Sequence, residues 1–428
     1  MNPKAVTSSL RVQPLRPAVI DNQAGASALP SSSLLDIRVL MVALTGFCVF
    51  LDVYATQTLL PLFTRIFEAS KFEVSLTVSA VTVGIALSAP WIGLAGERFG
   101  PKQTMAMSVT LLTIPLLLAA TSPSLRALIG WRFVQGLLMP GVISVTMAYI
   151  SEEWAAAGSA AVMAAYVAGN VLGGVTGRFL TGVVADHWSW RASFVVLGVL
   201  NGAGAAAVWR WLPTPRAQVR PTPLQSALRQ MVRLLRRPVI LATFVIGFAT
   251  LFSLVATFTY ITFYLSAEPF MLGATALGSL FFVYLVGVVA TPVCGRWIER
   301  LGHRQSLILS ALAAAAGVAL TLWPSLPAVL VGLALCSTGV FVCQSAATSY
   351  LGHIAPRARS SAAGLYTTFY YAGGTAGAAI PAFAWSVGGW NACVVLICAV
   401  LLLDAIVALT FWRPLQHADG AIAIIDGA

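Results

Sequence analysis

The sequence predicts an all-α polytopic membrane protein: twelve transmembrane helices in two six-helix, pseudo-symmetric bundles. Three observations lead there. First, only 9% of the 428 residues are charged and the mean hydropathy is +0.86. A water-soluble chain carries about a quarter charged residues, so lipid must solvate much of this one. Second, long apolar segments alternate with short charged or Pro/Gly-rich turns, each segment near the ~20 residues needed to cross hydrocarbon. Third, a charged phrase is written twice. Gly93-Leu94-Ala95-Gly96-Glu97-Arg98-Phe99-Gly100-Pro101-Lys102 returns as Gly295-Arg296-Trp297-Ile298-Glu299-Arg300-Leu301-Gly302-His303-Arg304, at an offset of 202 residues (93 to 295). A repeated charged turn between apolar segments is the mark of a duplicated bundle.

Along the chain, residues 1–37 are Ser/Pro/Ala-rich and lack an apolar core with a cleavage site, which predicts a disordered cytoplasmic tail and not a signal peptide. Six spans follow, at 38–62, 74–95, 103–120, 125–149, 157–184 and 191–212, forming an N-terminal bundle over 38–212. Residues 213–238 are the long polar break, a cytoplasmic basic linker. Within it Leu224, Leu228, Met231 and Leu235 recur at helical spacing with Arg229, Arg233, Arg236 and Arg237 interleaved. That pattern fits an amphipathic helix on the inner membrane face; a solvated basic linker is the other reading. Six further spans, at 239–265, 273–295, 304–323, 327–350, 360–385 and 390–412, form a C-terminal bundle over 239–412, followed by a cytoplasmic tail, 413–428. Tyr149/Tyr350, Trp190/Trp390 and the set Tyr166, Gly169, Gly173 against Tyr370, Gly373, Gly377 add further echoes between the halves.

The net charge of +11 is a matter of orientation and not a nucleic-acid footprint. With both termini cytoplasmic, only Arg65, Lys71, Arg126 and Arg191 fall outside, and Arg132 and Arg178 lie within helices; every other Lys and Arg falls inside. This satisfies the positive-inside rule and predicts a multi-pass protein of the cell (inner) membrane. Cys48, Cys294, Cys336, Cys343, Cys393 and Cys398 all lie in apolar segments without a CxxC, as buried small hydrophobes do.

The hinge from Gly93 to Lys102 resembles the loop signature of the major facilitator superfamily. Arg132-Phe133-Val134-Gln135-Gly136 resembles its fourth-helix arginine motif. Tyr149-Ile150-Ser151-Glu152-Glu153, the run Gly169-Asn170-Val171-Leu172-Gly173-Gly174-Val175-Thr176-Gly177-Arg178, and Trp190-Arg191 are similar to a bacterial efflux branch of the acriflavine-sensitivity type. The resemblance implies proton-driven export of small molecules, with a coupling role for Arg132. The chain departs from the pattern in carrying Glu97 and Glu299 where aspartate is usual, and Pro101 and His303 at a basic position.

Asp52 lies mid-segment in apolar surroundings, where an ionisable side chain is a functional candidate by default. Thr45, Cys48, Asp52 and Thr56 form a polar stripe along one helix face. Arg132 and Asp52 lie at similar depths, about 10 and 15 Å from the outer helix ends, so they can pair. A guanidinium favours ionised Asp52 and an apolar surround favours the protonated acid, the balance a proton-coupled carboxylate needs. A purely structural ion pair is the rival reading. On helix five, Gly169, Gly173 and Gly177 predict close helix contact, while Asn170, Gly174 and Arg178 predict a cavity wall. Arg178 is read as a substrate contact or as a second partner for Asp52. Thr56, Gln57, Thr257, Tyr260, Tyr264, Gln344, Tyr366 and Tyr370 complete the expected substrate cavity, with Ser253 on the same face of helix seven. Its aromatic and hydrogen-bonding character suits amphiphilic or aromatic ligands; ordinary interhelical packing is the alternative.

Gly93, Glu97, Arg98, Gly100, Lys102, Gly295, Glu299, Arg300, Gly302 and Arg304 are predicted to form a conformational latch on the inner face, with simple turn solvation as the rival. No Walker A loop, HExxH or His/Cys cluster occurs in the sequence. No enzymatic activity, cofactor or metal is expected, and the expected partners are a small-molecule substrate, protons and the bilayer, with no nucleic acid and no required oligomer. The function expected is a proton-coupled antiporter exporting small amphipathic or aromatic compounds. An importer of a sugar, amino acid or organic anion is the alternative, and a non-transporting sensor or intramembrane enzyme a third reading.

Overall fold

Apolar surface this extensive, with every backbone polar group needing an internal partner, leaves the helix as the natural spanning element. The structure, a computed structural model, describes residues 37–154, 159–213 and 224–413, and leaves out the side chains of 92–98, 148, 151–152, 160, 224–228, 291–297, 299, 357 and 359–360. The expected terminal tails, Cys294, and the latch residues Gly93, Glu97, Arg98, Gly295 and Glu299 therefore lie outside the described residues or their described side chains. All regular structure among the described residues is helical.

The first half contains α1 (Ile37–Val53), a 3-10 turn (Ala55–Leu59), α2 (Leu60–Ile66), α3 (Lys71–Phe99), α4 (Pro101–Ala120), α5 (Leu125–Leu138), α6 (Pro140–Glu153), α7 (Ala160–His187) and α8 (Trp190–Trp211). A linker helix, α9 (Leu224–Leu235), leads to α10 (Pro238–Leu265), α11 (Ala274–Ser279), a 3-10 turn (Leu280–Phe282), α12 (Val283–Leu301), α13 (His303–Leu320), α14 (Leu326–Ile354), α15 (Arg359–Ala379) and α16 (Pro381–Phe411). Ile37, α9 and Trp412 gather at one end of the molecule, the linker end; Ile66, Lys71, His187 and Trp190 mark the far end.

Among the described residues, nine helical stretches are long and apolar enough to span a bilayer, with Ala274–Ala290 a shorter apolar one. The expected count of twelve is not reached by that measure, for local reasons. The eighth segment is cut by the 3-10 turn at Leu280–Phe282. The ninth opens on the polar turn His303-Arg304-Gln305, and α15 is rich in glycine and hydroxyl residues. α16 is itself two helices, broken at Gly388 and Gly389 (φ 59°), so residues before the break extend α15 and those after it form the last segment.

The two halves reuse one packing device. A Cβ on Gly169, Gly173 or Gly177 of α7 would overlap the main-chain oxygens of Ala43, Phe47 and Leu51 in α1. In the second half, Gly373 and Gly377 of α15 meet Phe248 and Phe252 of α10 in the same way. The predicted glycine contact stripe is thus a backbone-to-backbone seam, present twice. The hinge repeat is likewise a repeat of conformation: Gly100 has φ 87°, ψ 146° and Gly302 has φ 82°, ψ 157°. Each begins the next helix by accepting from the amide four residues on, Thr104 or Ser306.

α9 leans on the second half: Met231 and buried Leu234 pack into the cluster of Ile240, Phe244 and Leu365, and Ser361 donates to Gln230. Leu235, placed on the apolar face by spacing, is exposed; the helix turns Leu234 inward instead.

Candidate functional site

The first span breaks directly after Asp52. α1 ends at Val53 and a 3-10 turn follows, so the carbonyls of Asp52 and Val53 lose their helical partners. Arg132 on α5 takes them over. Its Nη2 donates to Asp52 O at 3.0 Å and Val53 O at 2.7 Å. Its Nη1 donates to Asp52 Oδ1 at 2.7 Å and Gln135 Oε1 at 2.6 Å, and its Nε to Thr77 O at 3.3 Å. Both members of the ion pair are fully buried, while Asp52 Oδ2 has no partner. The predicted pairing is present, and with it a role the sequence did not suggest: the guanidinium holds a broken helix together. The polar stripe does not run straight through. Cys48 packs against Gly204 of α8, and Thr56 falls inside the 3-10 turn, buried with its hydroxyl unpartnered.

Arg178 does not pair with Asp52. Its Nε donates to Gln57 Oε1 at 2.8 Å and its Nη1 to Gly174 O at 2.7 Å. The guanidinium carbon lies 4.9 Å from the ring centre of Tyr54, 4.5 Å from Phe281 and 5.4 Å from Tyr284. Among the described residues this buried cation has no carboxylate partner; aromatic faces surround it instead. Gln57 completes a bridge between the bundles by donating to Thr259 Oγ1 at 3.0 Å.

Around this bridge the far halves of the two bundles are joined. Asp186, at the end of α7, accepts from the amides of Ala274 and Thr275 at 3.3 and 2.7 Å, capping the start of α11. Lys71 at the start of α3 lies 5.7 Å from the ring of Phe263 and 5.2 Å from that of Trp385. Ser79 donates to Thr375 O, and Thr82 and Thr375 share a 2.9 Å hydroxyl bond.

The other expected cavity residues divide. Asn170 turns toward α1, where Gly46 leaves room for its amide, and so sits within the first bundle. Tyr260 is fully buried and donates to Ala378 O at 2.8 Å, tying α10 to α15. Tyr264 stacks on Trp390 at the far end. Thr257 donates to Ser253 O within its own helix. Gln344, Tyr366 and Tyr370 do come together: Tyr370 donates to Gln344 Oε1 at 2.9 Å and stacks 5.9 Å from Tyr366. Of the latch set, Lys102 and Arg304 are partly exposed and Arg300 is exposed, flanking the positive-φ glycines Gly100 and Gly302. Sequence reasoning missed Tyr54, Phe281 and Tyr284, aromatics within apolar stretches that no pattern sets apart, and Asp186; Lys71 entered it only as an outside charge.

Two bundles sharing a glycine seam, a doubled hinge and a polar centre can be compared with known proteins. The Major Facilitator Superfamily profile matches residues 42–287 and 263–423. The chain belongs to the major facilitator superfamily. Its relatives within the superfamily include a Buchnera aphidicola (subsp. Schizaphis graminum) transporter, 30% identical over 85% of this chain and 90% of the relative. The MFS-type transporter YybF of Bacillus subtilis is 31% identical over 84% of this chain and 89% of its own length. The inner membrane transport protein YnfM of Escherichia coli is 29% identical over 87% and 89%. Among solved superfamily structures, a bacterial homologue of the lysosomal transporter Spinster superposes with TM-score 0.70 at 15% identity, covering 89% of this chain and 97% of that one. The nucleoside transporter NupG superposes with TM-score 0.69 at 12% identity, covering 88% and 100%; these likenesses concern the fold alone. As a superfamily member the chain is an integral, multi-pass membrane transporter of small molecules, not an enzyme.

Proposed function

We propose that this transporter exports small amphipathic or aromatic compounds in exchange for protons, by rocking its two bundles about a central site. The observation that carries the reading is the buried Asp52–Arg132 pair: an acid with one free oxygen, held by a cation, at the point where the first helix is broken. A carboxylate there gains a charge partner and loses hydration, so modest rearrangement changes its proton occupancy. The charge distribution supports a cytoplasmic linker end with both termini inside. On that orientation the Asp186, Lys71 and Thr375 contacts close the outer side. The doubled Gly100/Gly302 hinge supports a latch at the inner side, with the neighbouring charges as its parts.

A second reading of the substrate has its own observation. Among the described residues Arg178 is a buried cation without a carboxylate partner, and an acidic group on an aromatic compound would neutralise it while the ring stacks on Tyr54, Phe281 or Tyr284. This favours organic anions, moved in either direction.

Proteoliposomes holding the purified protein and a pH-sensitive dye test the coupling. A compound from a dye and drug panel should drive proton movement in wild type, and Asp52→Asn should abolish that movement while inserting normally. Unaltered proton movement in Asp52→Asn would remove Asp52 from the coupling role. Comparing aromatic acids with their neutral amides on the same vesicles separates the two substrate readings.

A further inference from the structure

A second buried acid lies in the other bundle. Asp404 sits on α16 beyond the Gly388–Gly389 break, 1% exposed, among Ile397, Leu401, Ala405 and Ala408. Its Oδ2 accepts from Thr250 Oγ1 of α10 at 3.3 Å, and its Oδ1 has no partner. No cation pairs with it among the described residues. The titratable groups that face it are Tyr366 of α15 and Cys343 of α14, both uncharged as ordinarily found. Tyr366 also has an unpartnered hydroxyl. α13, which packs on α16, carries its titratable residues, His303 and Arg304, at the linker end. α3 meets the same helix at its opposite end, where Phe72 packs on Phe383 and Lys71 lies over Trp385.

An ionised carboxylate so enclosed, with one neutral hydrogen bond, is far more costly than the neutral acid. The two bundles thus hold their buried acids differently: Asp52 has a guanidinium partner, and Asp404 has no cation among the described residues. The first half offers a comparison. On α8, where Trp190 matches Trp390 at an offset of 200, Asp404 falls opposite Gly204, which packs on Cys48 of α1 as Asp404 meets Thr250 of α10. The first bundle thus has no side chain where the second carries its buried acid.

We propose that Asp404 is a proton-binding site of the second bundle, occupied in this conformation and emptied when α10 and α15 shift relative to α16 during transport. This rests on the reading of the chain as proton-driven only for its part in transport; the occupancy itself is independent of that reading. Infrared difference spectra of the lipid-reconstituted protein test the occupancy. Wild type should show a protonated-carboxyl stretch at neutral pH that is missing from Asp404→Asn and displaced in Asp404→Glu. If all three spectra coincide in that region, or Asp404→Asn and Asp404→Glu do not insert so that no band is assignable while wild type shows none, the proposal fails. Proton counts per substrate in the same vesicles test the exchange. Asp404→Asn should lower the count or flatten its dependence on pH while Asp52 remains intact. The same count and pH profile as wild type would reduce Asp404 to a packing acid. Loss of proton movement in wild type itself would instead overturn the antiport reading and leave the spectral result standing.

Discussion

Arg132 donates to the main-chain oxygen of Val53 at 2.7 Å, the same distance as its bond to the Asp52 carboxylate. The arginine therefore does two jobs that a point charge cannot do together. It neutralises the acid, and its planar fork satisfies the carbonyls freed by the helix break. Arg132→Lys should keep the charge and lose the second job, leaving an inserted protein with at least tenfold slower transport and a lower melting temperature in detergent. Arg132→Gln strands Asp52 and should cost about 3–5 kcal/mol of stability. Equal melting temperatures for wild type and Arg132→Lys would show that the carbonyl bonds carry no weight.

The glycine seam makes a sharper steric prediction. Gly173→Ala places a methyl group onto Phe47 O, whereas Gly202→Ala meets Thr113 Cγ2 at an ordinary 3.5 Å. The first change should lower the yield of folded, monodisperse protein and the second should not, as gel filtration would report. Gly377→Ala, facing Phe252 O, should repeat the loss in the second bundle.

At the hinges the expected cause is different. Nothing lies within 4 Å of a Cβ built on Gly100 or Gly302, but both have positive φ. Gly100→Ala and Gly302→Ala should each cost about 1–3 kcal/mol through backbone strain alone. Gly100→Asn should cost as much, because ψ of 146° lies outside the left-handed helical region that asparagine tolerates. Thermal unfolding of the three variants checks this; any of them as stable as wild type would sink the explanation.

The far-end seal should respond to charge. Asp186→Ala removes the cap of α11, and Lys71→Met removes the cation over Phe263 and Trp385. Each contact is worth about 1 kcal/mol, which corresponds to roughly a fivefold shift between conformers. Carried on a Phe72→Cys background, both changes should speed thiol labelling from the far side. An unchanged labelling rate would mean that other contacts hold this end shut.

Arg178 offers a selectivity test. Arg178→Gln keeps a planar, hydrogen-bonding side chain and deletes the charge. It should weaken binding of aromatic acids by at least tenfold and leave their neutral amides within about twofold, since a charge-assisted pair is worth roughly 1.5–3 kcal/mol. Equal losses for both ligand types would assign Arg178 to packing.

The sequence by itself determined the lipid-embedded class, the doubled architecture, the contact role of Gly169, Gly173 and Gly177, and the meeting of Asp52 with Arg132. All of these rest on periodicity or on the cost of charge in hydrocarbon, which act locally and leave a pattern in the chain. Asp404 follows the same rule as an acid within an apolar segment, but its seat against Thr250 comes from the packing of α10 on α16. Only the tertiary structure decided that Arg178 turns from Asp52 to Gln57 and three aromatic rings, that Asn170 faces Gly46, and that Tyr260 is a tie between helices. A helical pattern gives a side chain's direction around its own axis. Which neighbour fills that direction depends on how several helices pack at once and on where one of them breaks, as α1 does after Val53.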